Sequence, residues 1–78
     1  MYAEANYAEK LISLPDCIGR LKKLRKLNIN FNDIRHLPEA FGDLESLQIL
    51  YALDNNIEKL PKSFKKLTNL LTLNLGKN

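Results

Sequence analysis

The chain has 78 residues, the length of a single small domain, with no room for a second hydrophobic core. Twelve Lys and Arg residues against nine Asp and Glu residues give a net charge of +3, which suits a soluble domain without indicating a polyanionic partner. One cysteine and one histidine exclude an internal disulfide and a Cys/His zinc site. No apolar run is long enough to cross a bilayer, and the start Met-Tyr-Ala-Glu has neither the basic nor the apolar region of a signal peptide. We therefore expect a cytoplasmic protein without a membrane partner, unless a signal peptide was removed before residue 1.

The first elements predicted lie in residues 2–14, where apolar residues recur at helical spacing between strong helix formers. We therefore expect an N-terminal cap helix here, or else an irregular polar edge. A strand in phase with those further along the chain would bury Glu4 and Asn6 without partners, which argues against an ordinary strand. The apolar residues at helical spacing are Ala3, Tyr7, Leu11 and Leu14.

From residue 21 the chain repeats with a 23-residue step. Eight positions are identical between residues 21–43 and residues 44–66, and we call them the frame residues. We expect one domain, residues 1–78, made of a cap or degenerate half repeat (1–20), two full repeats, and a partial repeat (67–78) with no C-terminal cap. The frame pairs are Leu21 and Leu44, Leu24 and Leu47, Leu27 and Leu50, Asn32 and Asn55, Ile34 and Ile57, Leu37 and Leu60, Pro38 and Pro61, and Phe41 and Phe64.

Each repeat contains one short predicted strand. The alternation in residues 27–29 and 50–52 suits a strand with one buried face. A 23-residue period is too short for a strand, a full helix and two loops, so the remainder of each repeat is predicted as turns or 3₁₀ segments. Repeats stacked in parallel register bury their leucines in one continuous core, which here has roughly two to three strands.

Polar and ring-bearing frame residues have structural roles in this prediction. Asn32, Asn55 and Asn78 follow the strands, where a short amide satisfies main-chain groups of the turn. Prolines fix φ where the chain turns over the convex side, and phenylalanines fill the space that a helix would otherwise occupy. These residues are Pro38, Pro61, Phe41 and Phe64.

The unit L-x-x-L-x-x-L-x-[IAL]-x-x-N-x-I-x-x-L-P-x-x-F-x-x resembles the leucine-rich repeat family over residues 11–78. The variant Leu-Pro-x-x-[Ile/Phe]-Gly-x-Leu, at residues 14–21 and 37–44, is similar to the 23-residue subtype of intracellular scaffold, Ras-pathway and Roco-type proteins and of many bacterial proteins. The resemblance implies an α/β right-handed solenoid with a parallel β-sheet on its concave side and turns or 3₁₀ segments on its convex side. It also implies a protein–protein interaction module in scaffolding or signalling.

Strand residues that point away from the core form the candidate partner-binding site. On a curved sheet they line the concave surface, where Ile49, Tyr51 and Leu53 make an apolar patch typical of partner sites. The alternative is that strands tolerate scattered apolar residues here. The resemblance implies that this surface binds a protein partner, which nothing in the residues names. The predicted site is Asn28, Asn30, Phe31, Ile49, Tyr51, Leu53, Asp54 and Asn74, and Lys26, Thr72 and Lys77 flank it.

A second hypothesis is a self-assembling structural unit. The sequence reaches Asn78 directly after a predicted strand, with no polar closing unit, and an unpaired strand edge is a template for pairing. On this hypothesis the chain forms homo-oligomers through Leu70, Leu73 and Leu75.

Catalysis finds little support in the sequence. Cys17 and His36 lie one repeat apart with no third group to orient a base, and three glycines make no phosphate-binding loop. We expect no enzymatic activity, no cofactor and no metal.

Stacked repeats would align basic residues into a ridge, but the ridge lacks the interleaved aromatics of nucleic-acid binders, so we expect a solvated edge. The ridge residues are Arg20, Lys22, Lys23, Arg25, Lys65 and Lys66.

Overall fold

Four short strands form one parallel sheet in the order β1-β2-β3-β4 in the computed structural model, which describes residues 1–4 and 10–78. Neighbours in the sheet are neighbours in the chain, so the repeats stack one on another as a solenoid. This architecture confirms the predicted parallel solenoid, with four strands instead of two to three. The strands are β1 (Tyr2–Glu4), β2 (Lys26–Asn28), β3 (Ile49–Tyr51) and β4 (Thr72–Asn74).

Within the described residues, three 3₁₀ helices lie between the strands: η1 (Asp16–Arg20), η2 (Glu39–Asp43) and η3 (Lys62–Lys66). A proline precedes each one, with φ between −72° and −66°, because its ring fixes the angle that the turn requires. Each helix ends at a frame leucine whose N–H donates to a carbonyl three residues earlier, as Leu44 does to Phe41 at 3.2 Å. The convex side is therefore built of 3₁₀ segments, as the repeat length predicts.

Strand register places the frame leucines on one face of the sheet. Leu27 pairs with Leu50, and Leu50 with Leu73, so equivalent residues of successive repeats lie side by side. The side chains of Leu27 and Leu50 are buried, and Ile29 and Ala52, two positions further on, are buried with them. The alternate residues of each strand face the opposite side, which we call the concave face.

The N-terminal strand follows a different step. Ala3 pairs with Leu27, a separation one residue longer than the repeat, and Glu4 pairs with Asn28. Since a shift of one residue exchanges the two faces of a strand, half-buried Ala3 takes the position that pairs with inward-facing Leu27. The strand is therefore one residue out of phase with the repeat that the sequence predicts.

The predicted cap helix is wrong for residues 2–4, which are a strand, and residues 10–14 contain no helix. Its middle part, residues 5–9, lies outside the described residues. The helical spacing of the apolar residues is a local signal, whereas the open edge of β2 offers main-chain donors and acceptors to any strand beside it. Pairing with β2 overrides the local pattern for residues 2–4.

The repeats also pack closely on their convex side. The rings of Phe41 and Phe64 stack with centroids 6.2 Å apart, and Phe41 is fully buried. A Cβ atom added to Gly19 would lie 2.5 Å from the carbonyl oxygen of Ala40, so glycine is required for η1 to approach η2. The same contact joins Gly42 to Ser63. The concave face therefore rests on a tightly packed stack.

Candidate functional site

An apolar strip runs along β3 on the concave face. Ile49, Tyr51 and Leu53 alternate with the buried residues of the strand, and all three are half-buried. Tyr51 pairs with Asn28 on one side and with Asn74 on the other. The structure therefore brings most of the predicted site residues together, with apolar side chains in the middle and amides on both sides.

A lysine adds positive charge to this strip. Lys26 pairs with Ile49 in the sheet, and its Nζ atom lies 5.3 Å from the centroid of the Tyr51 ring. This is a cation–π geometry, which fixes the ammonium group above the strip. Lys26 flanks the site in sequence and belongs to it in the structure, because it stands one position before the inward-facing Leu27.

The predicted asparagines also hold the backbone. The Oδ1 atoms of Asn28 and Asn74 each accept a hydrogen bond at 3.0 Å from the N–H two positions later. Asn30 is tied to the next repeat, because its Oδ1 accepts from the N–H of Leu53 at 2.7 Å. The sequence does not reveal this role, since no other repeat has an asparagine at that position. These amides fix the ends of β2 and β4 beside the strip.

Phe31, Asp54 and Lys77 occupy equivalent positions, each three residues after the end of a strand. All three have positive φ, between 56° and 60°, which is the left-handed region. The N–H of Phe31 donates to the carbonyl of Leu53 at 2.8 Å, and that of Asp54 to the carbonyl of Gly76 at 2.9 Å. The structure therefore places Phe31 and Asp54, both predicted site residues, at the rim of the concave face.

The residues predicted for self-association lie on or beside β4, the last strand of the sheet. Leu73 is 43% exposed, whereas the equivalent Leu50 is fully buried. Leu70 and Leu75 are half-buried and pack against the core. Leu71, which was not predicted, is the most exposed large apolar side chain of the described residues, at 81%.

The predicted basic ridge is interrupted by one acidic residue, Asp43. Asp43 stands between two ridge lysines: its carbonyl accepts from Lys22 Nζ at 3.0 Å, and its carboxylate lies 3.5 Å from Lys66 Nζ. Arg25 donates to the side chain of Gln48 at 3.2 Å. Asp43 thus places an acid between bases, because the equivalent residues one step before and after it are Arg20 and Lys66.

Groups that carry catalysis or bind metals are sparse on this surface. Cys17 is an exposed free thiol on η1, and His36 is exposed and forms a single strand-like bridge with Lys59. Within residues 1–4 and 10–78, no three side chains of His, Cys, Asp or Glu come together as a metal site. No helix of that same part of the chain is long and apolar enough to span a membrane.

Comparisons with known proteins agree with this geometry. A family model described as a leucine-rich repeat region matches residues 6–78. Eleven chains of solved structures match significantly, among them a leucine-rich repeat protein of Leptospira interrogans with 37% identity and a TM-score of 0.84. That alignment covers 86% of this chain and 17% of the Leptospira chain, so this chain spans about a sixth of that length.

No curated protein gives a significant match. Leucine-rich repeat proteins are typically non-enzymatic, and their repeats generally mediate protein interactions. The fold agrees with the matches to known proteins, since both show leucine-rich repeats. The features of the fold that agree are the 23-residue spacing and a parallel sheet over 3₁₀ segments. The chain therefore belongs to the leucine-rich repeat family.

Proposed function

We propose that this chain is a protein–protein interaction module that binds its partner on the concave face. The observation that carries the proposal is the apolar strip of Ile49, Tyr51 and Leu53, which is half-buried on the side of β3 turned away from the core. Membership of a family whose repeats generally mediate protein interactions supports it.

The strip has no evident purpose in folding. Leu50 of the same strand and Ala52 directly after it already fill the core and are fully buried. Apolar surface on the opposite side gains free energy only when another molecule covers it. Tyr51 adds a large ring with a polar end, the kind of side chain that carries much of the binding energy in interfaces.

The size of the strip indicates what kind of partner fits. Neighbouring strands lie about 4.8 Å apart and residues rise about 3.3 Å along a strand, so three strands of this face cover about 10 Å by 13 Å. Interfaces between folded proteins usually bury about 800 Å² on each side. The concave face of this chain therefore fits a short peptide segment or a single loop of the partner.

The test begins with a selection of random dodecapeptides displayed on phage against the folded chain. The best peptide is synthesised with a fluorescent label, and its Kd is measured by anisotropy. The double variant Tyr51→Ser/Leu53→Asp is expected to weaken binding more than tenfold, because each such contact contributes about 2 kcal/mol. The control is Thr68→Asp/Leu71→Ser, which makes a similar change on exposed residues outside the concave face.

Both variants should fold, since neither replaces a frame residue. Circular dichroism of each variant verifies this. Equal affinity of the peptide for the Tyr51/Leu53 variant and the parent would refute the proposal. The proposal would also be refuted if the control variant lost binding to the same extent.

Self-assembly through β4 is the second candidate, and one observation favours it. The strand pairs on one side only, and Leu73 and Leu71 expose apolar surface beside its other edge. Light scattering of the chain in dilute solution tests this candidate, with Leu73→Lys/Asn74→Pro as the variant. A folded variant that kept the mass of the parent would rule out the contact. A polar capping repeat added after Asn78 would abolish assembly and leave peptide binding intact.

The same proposal includes a cytoplasmic location and a scaffolding or signalling role. Its support is the exposed free thiol of Cys17, which suits a reducing compartment. Fractionation of cells that express the protein tests it, with the soluble cytoplasmic fraction as the expected location. Recovery in an oxidising compartment would contradict the location.

A further inference from the structure

We infer that the partner segment carries a basic side chain beside an apolar one, and that both dock at the rim formed by Phe31, Asp33 and Asp54. This inference rests on the proposed function and adds the chemistry of the partner. Three observations carry it: the exposure and backbone conformation of Phe31, its position next to the apolar strip, and two carboxylates beside it that have no partner within the described chain.

Phe31 is an aromatic residue that folding does not require. Its side chain is 47% exposed and belongs neither to the core nor to the apolar residues packed against it. Its φ of 60° is a region where bulky side chains are rare and where asparagine or aspartate is accommodated more easily. The equivalent residues Asp54 and Lys77 are both polar. An exposed ring on a disfavoured backbone is explained by a contact that the ring makes with another molecule.

The position of Phe31 extends the apolar strip. Its N–H donates to the carbonyl of Leu53 at 2.8 Å, so the ring begins beside the last residue of the strip. A segment that lies along Ile49, Tyr51 and Leu53 therefore reaches Phe31 at one end of the concave face. An apolar side chain of the segment would cover the ring there.

Charge decides which residue accompanies that apolar side chain. Asp33 follows Phe31 by two positions, and Asp54 follows Leu53 directly on the neighbouring repeat. Both are exposed, and neither carboxylate has an ion pair or hydrogen bond within residues 1–4 and 10–78. Two cations lie close in the repeat: Arg35 follows Asp33 by two residues, and Lys77 is equivalent to Asp54 one repeat later. Neither of them pairs with either carboxylate.

An arginine or lysine of the partner is complementary to this rim. Carboxylates attract the cation, and the face of an aromatic ring attracts it further. An acidic segment would meet two carboxylates at the same place and be repelled. The rim therefore selects for a basic residue, although the whole chain is itself basic at +3.

A groove continues from the rim past Asp33. Its volume is about 490 Å³, and Ile12, one of its lining residues, is 73% exposed to solvent. The groove gives a segment room to pass beyond Phe31 with a further apolar contact. Its lining residues are Ile12, Asp33, Arg35, His36 and Asn56.

The peptides selected for the proposed function are the probe. We expect most of them to carry arginine or lysine next to an apolar residue. The affinity of the best peptide should fall about tenfold in Asp33→Asn/Asp54→Asn and in Phe31→Asn, and it should fall with rising salt concentration. The matched control is Asp16→Asn/Glu45→Gln, which removes two exposed carboxylates elsewhere and should keep the affinity of the parent.

Asparagine suits the backbone at residue 31, so Phe31→Asn should remain folded, and a thermal melt verifies this. Selected peptides without basic residues, or an unchanged affinity in Asp33→Asn/Asp54→Asn, would overturn the inference. The proposed function would survive either result if Tyr51→Ser/Leu53→Asp still lost binding. Unchanged affinity in both double variants would refute the inference and the proposed function together. The inference would also be refuted if the parent chain dimerised and Asp33→Asn/Asp54→Asn abolished the dimer. A second copy of the chain would then occupy the rim.

Discussion

Asn55 joins its repeat to the preceding one through Ile34, whose N–H donates to the Oδ1 atom of Asn55 at 3.2 Å. The Nδ2 group of the same side chain donates to the carbonyl of Ile29 in the preceding repeat at 2.9 Å and to that of Ala52 in its own repeat at 3.3 Å. Asn32 receives the N–H of Leu11 in the equivalent way. Each buried amide therefore satisfies main-chain groups on both sides of a repeat boundary.

Replacing Asn55 by alanine should lower the free energy of unfolding by about 1 to 3 kcal/mol for each buried polar group that is left without a partner. Urea unfolding followed by circular dichroism measures the change. The control is Asn56→Ala, an exposed asparagine at the next position, which should stay within about 0.5 kcal/mol of the parent. Equal stability of the two variants would mean that the amide bonds across repeats contribute nothing.

Two leucines at the same repeat position should differ in their contribution to stability. Leu50 is fully buried, so Leu50→Ala should cost about 2 to 5 kcal/mol, which approaches the whole stability of a small domain. Leu73, which is 43% exposed, leaves a smaller void, and Leu73→Ala should cost less than about 1 kcal/mol. Thermal melts of both variants check this, and similar losses would contradict the burial pattern.

Phe31→Asn should stabilise the fold. A bulky residue in the left-handed region costs about 1 to 2 kcal/mol, and asparagine relieves part of this cost. The expected gain is a few tenths to about 1 kcal/mol, measured as a rise in the urea midpoint. Asp54→Asn is the control with a similar backbone angle, and it should change stability little. A lower midpoint for Phe31→Asn would show that the ring supports the fold.

Glycine at position 42 should be essential for stacking. An added Cβ atom would collide with the main-chain carbonyl and the side chain of Ser63, so Gly42→Ala should cost about 1 to 3 kcal/mol. Lys65 occupies the equivalent position one repeat later and is exposed, so Lys65→Ala should be nearly neutral. Denaturant unfolding of the two variants compares them, and a neutral Gly42→Ala would show that η2 and η3 shift apart at no cost.

The repeat and the inner face of the sheet could be predicted from local patterns in the chain. The 23-residue step fixes which leucines lie side by side, and alternation about Leu27 and Leu50 fixes which residues point inward. The prolines before each 3₁₀ segment act through their own fixed φ, so their effect can also be predicted locally. The structure agrees with these features because each depends on residues within one repeat or on the spacing between repeats.

Strand alternation predicts which residues share a face, and the structure places most of the candidate site residues on the concave face or at its rim. The sequence did not separate side chains that are free to contact a partner from those that hold the backbone. Asn30 belongs to the second kind, since its Oδ1 accepts from Leu53 across a repeat boundary. Such a bond depends on the distance between two strands, which no single repeat specifies.

The first strand and the backbone at Phe31 depend on contacts that form only in the folded chain. Ala3 pairs with Leu27, one residue out of step with the repeat, and this register puts half-buried Ala3 beside the buried Leu27. Phe31 has a positive φ that its own side chain disfavours, and its N–H donates to the carbonyl of Leu53 in the next repeat. In both places a hydrogen bond between strands outweighs the local preference of the sequence, and such a bond exists only once the repeats have stacked.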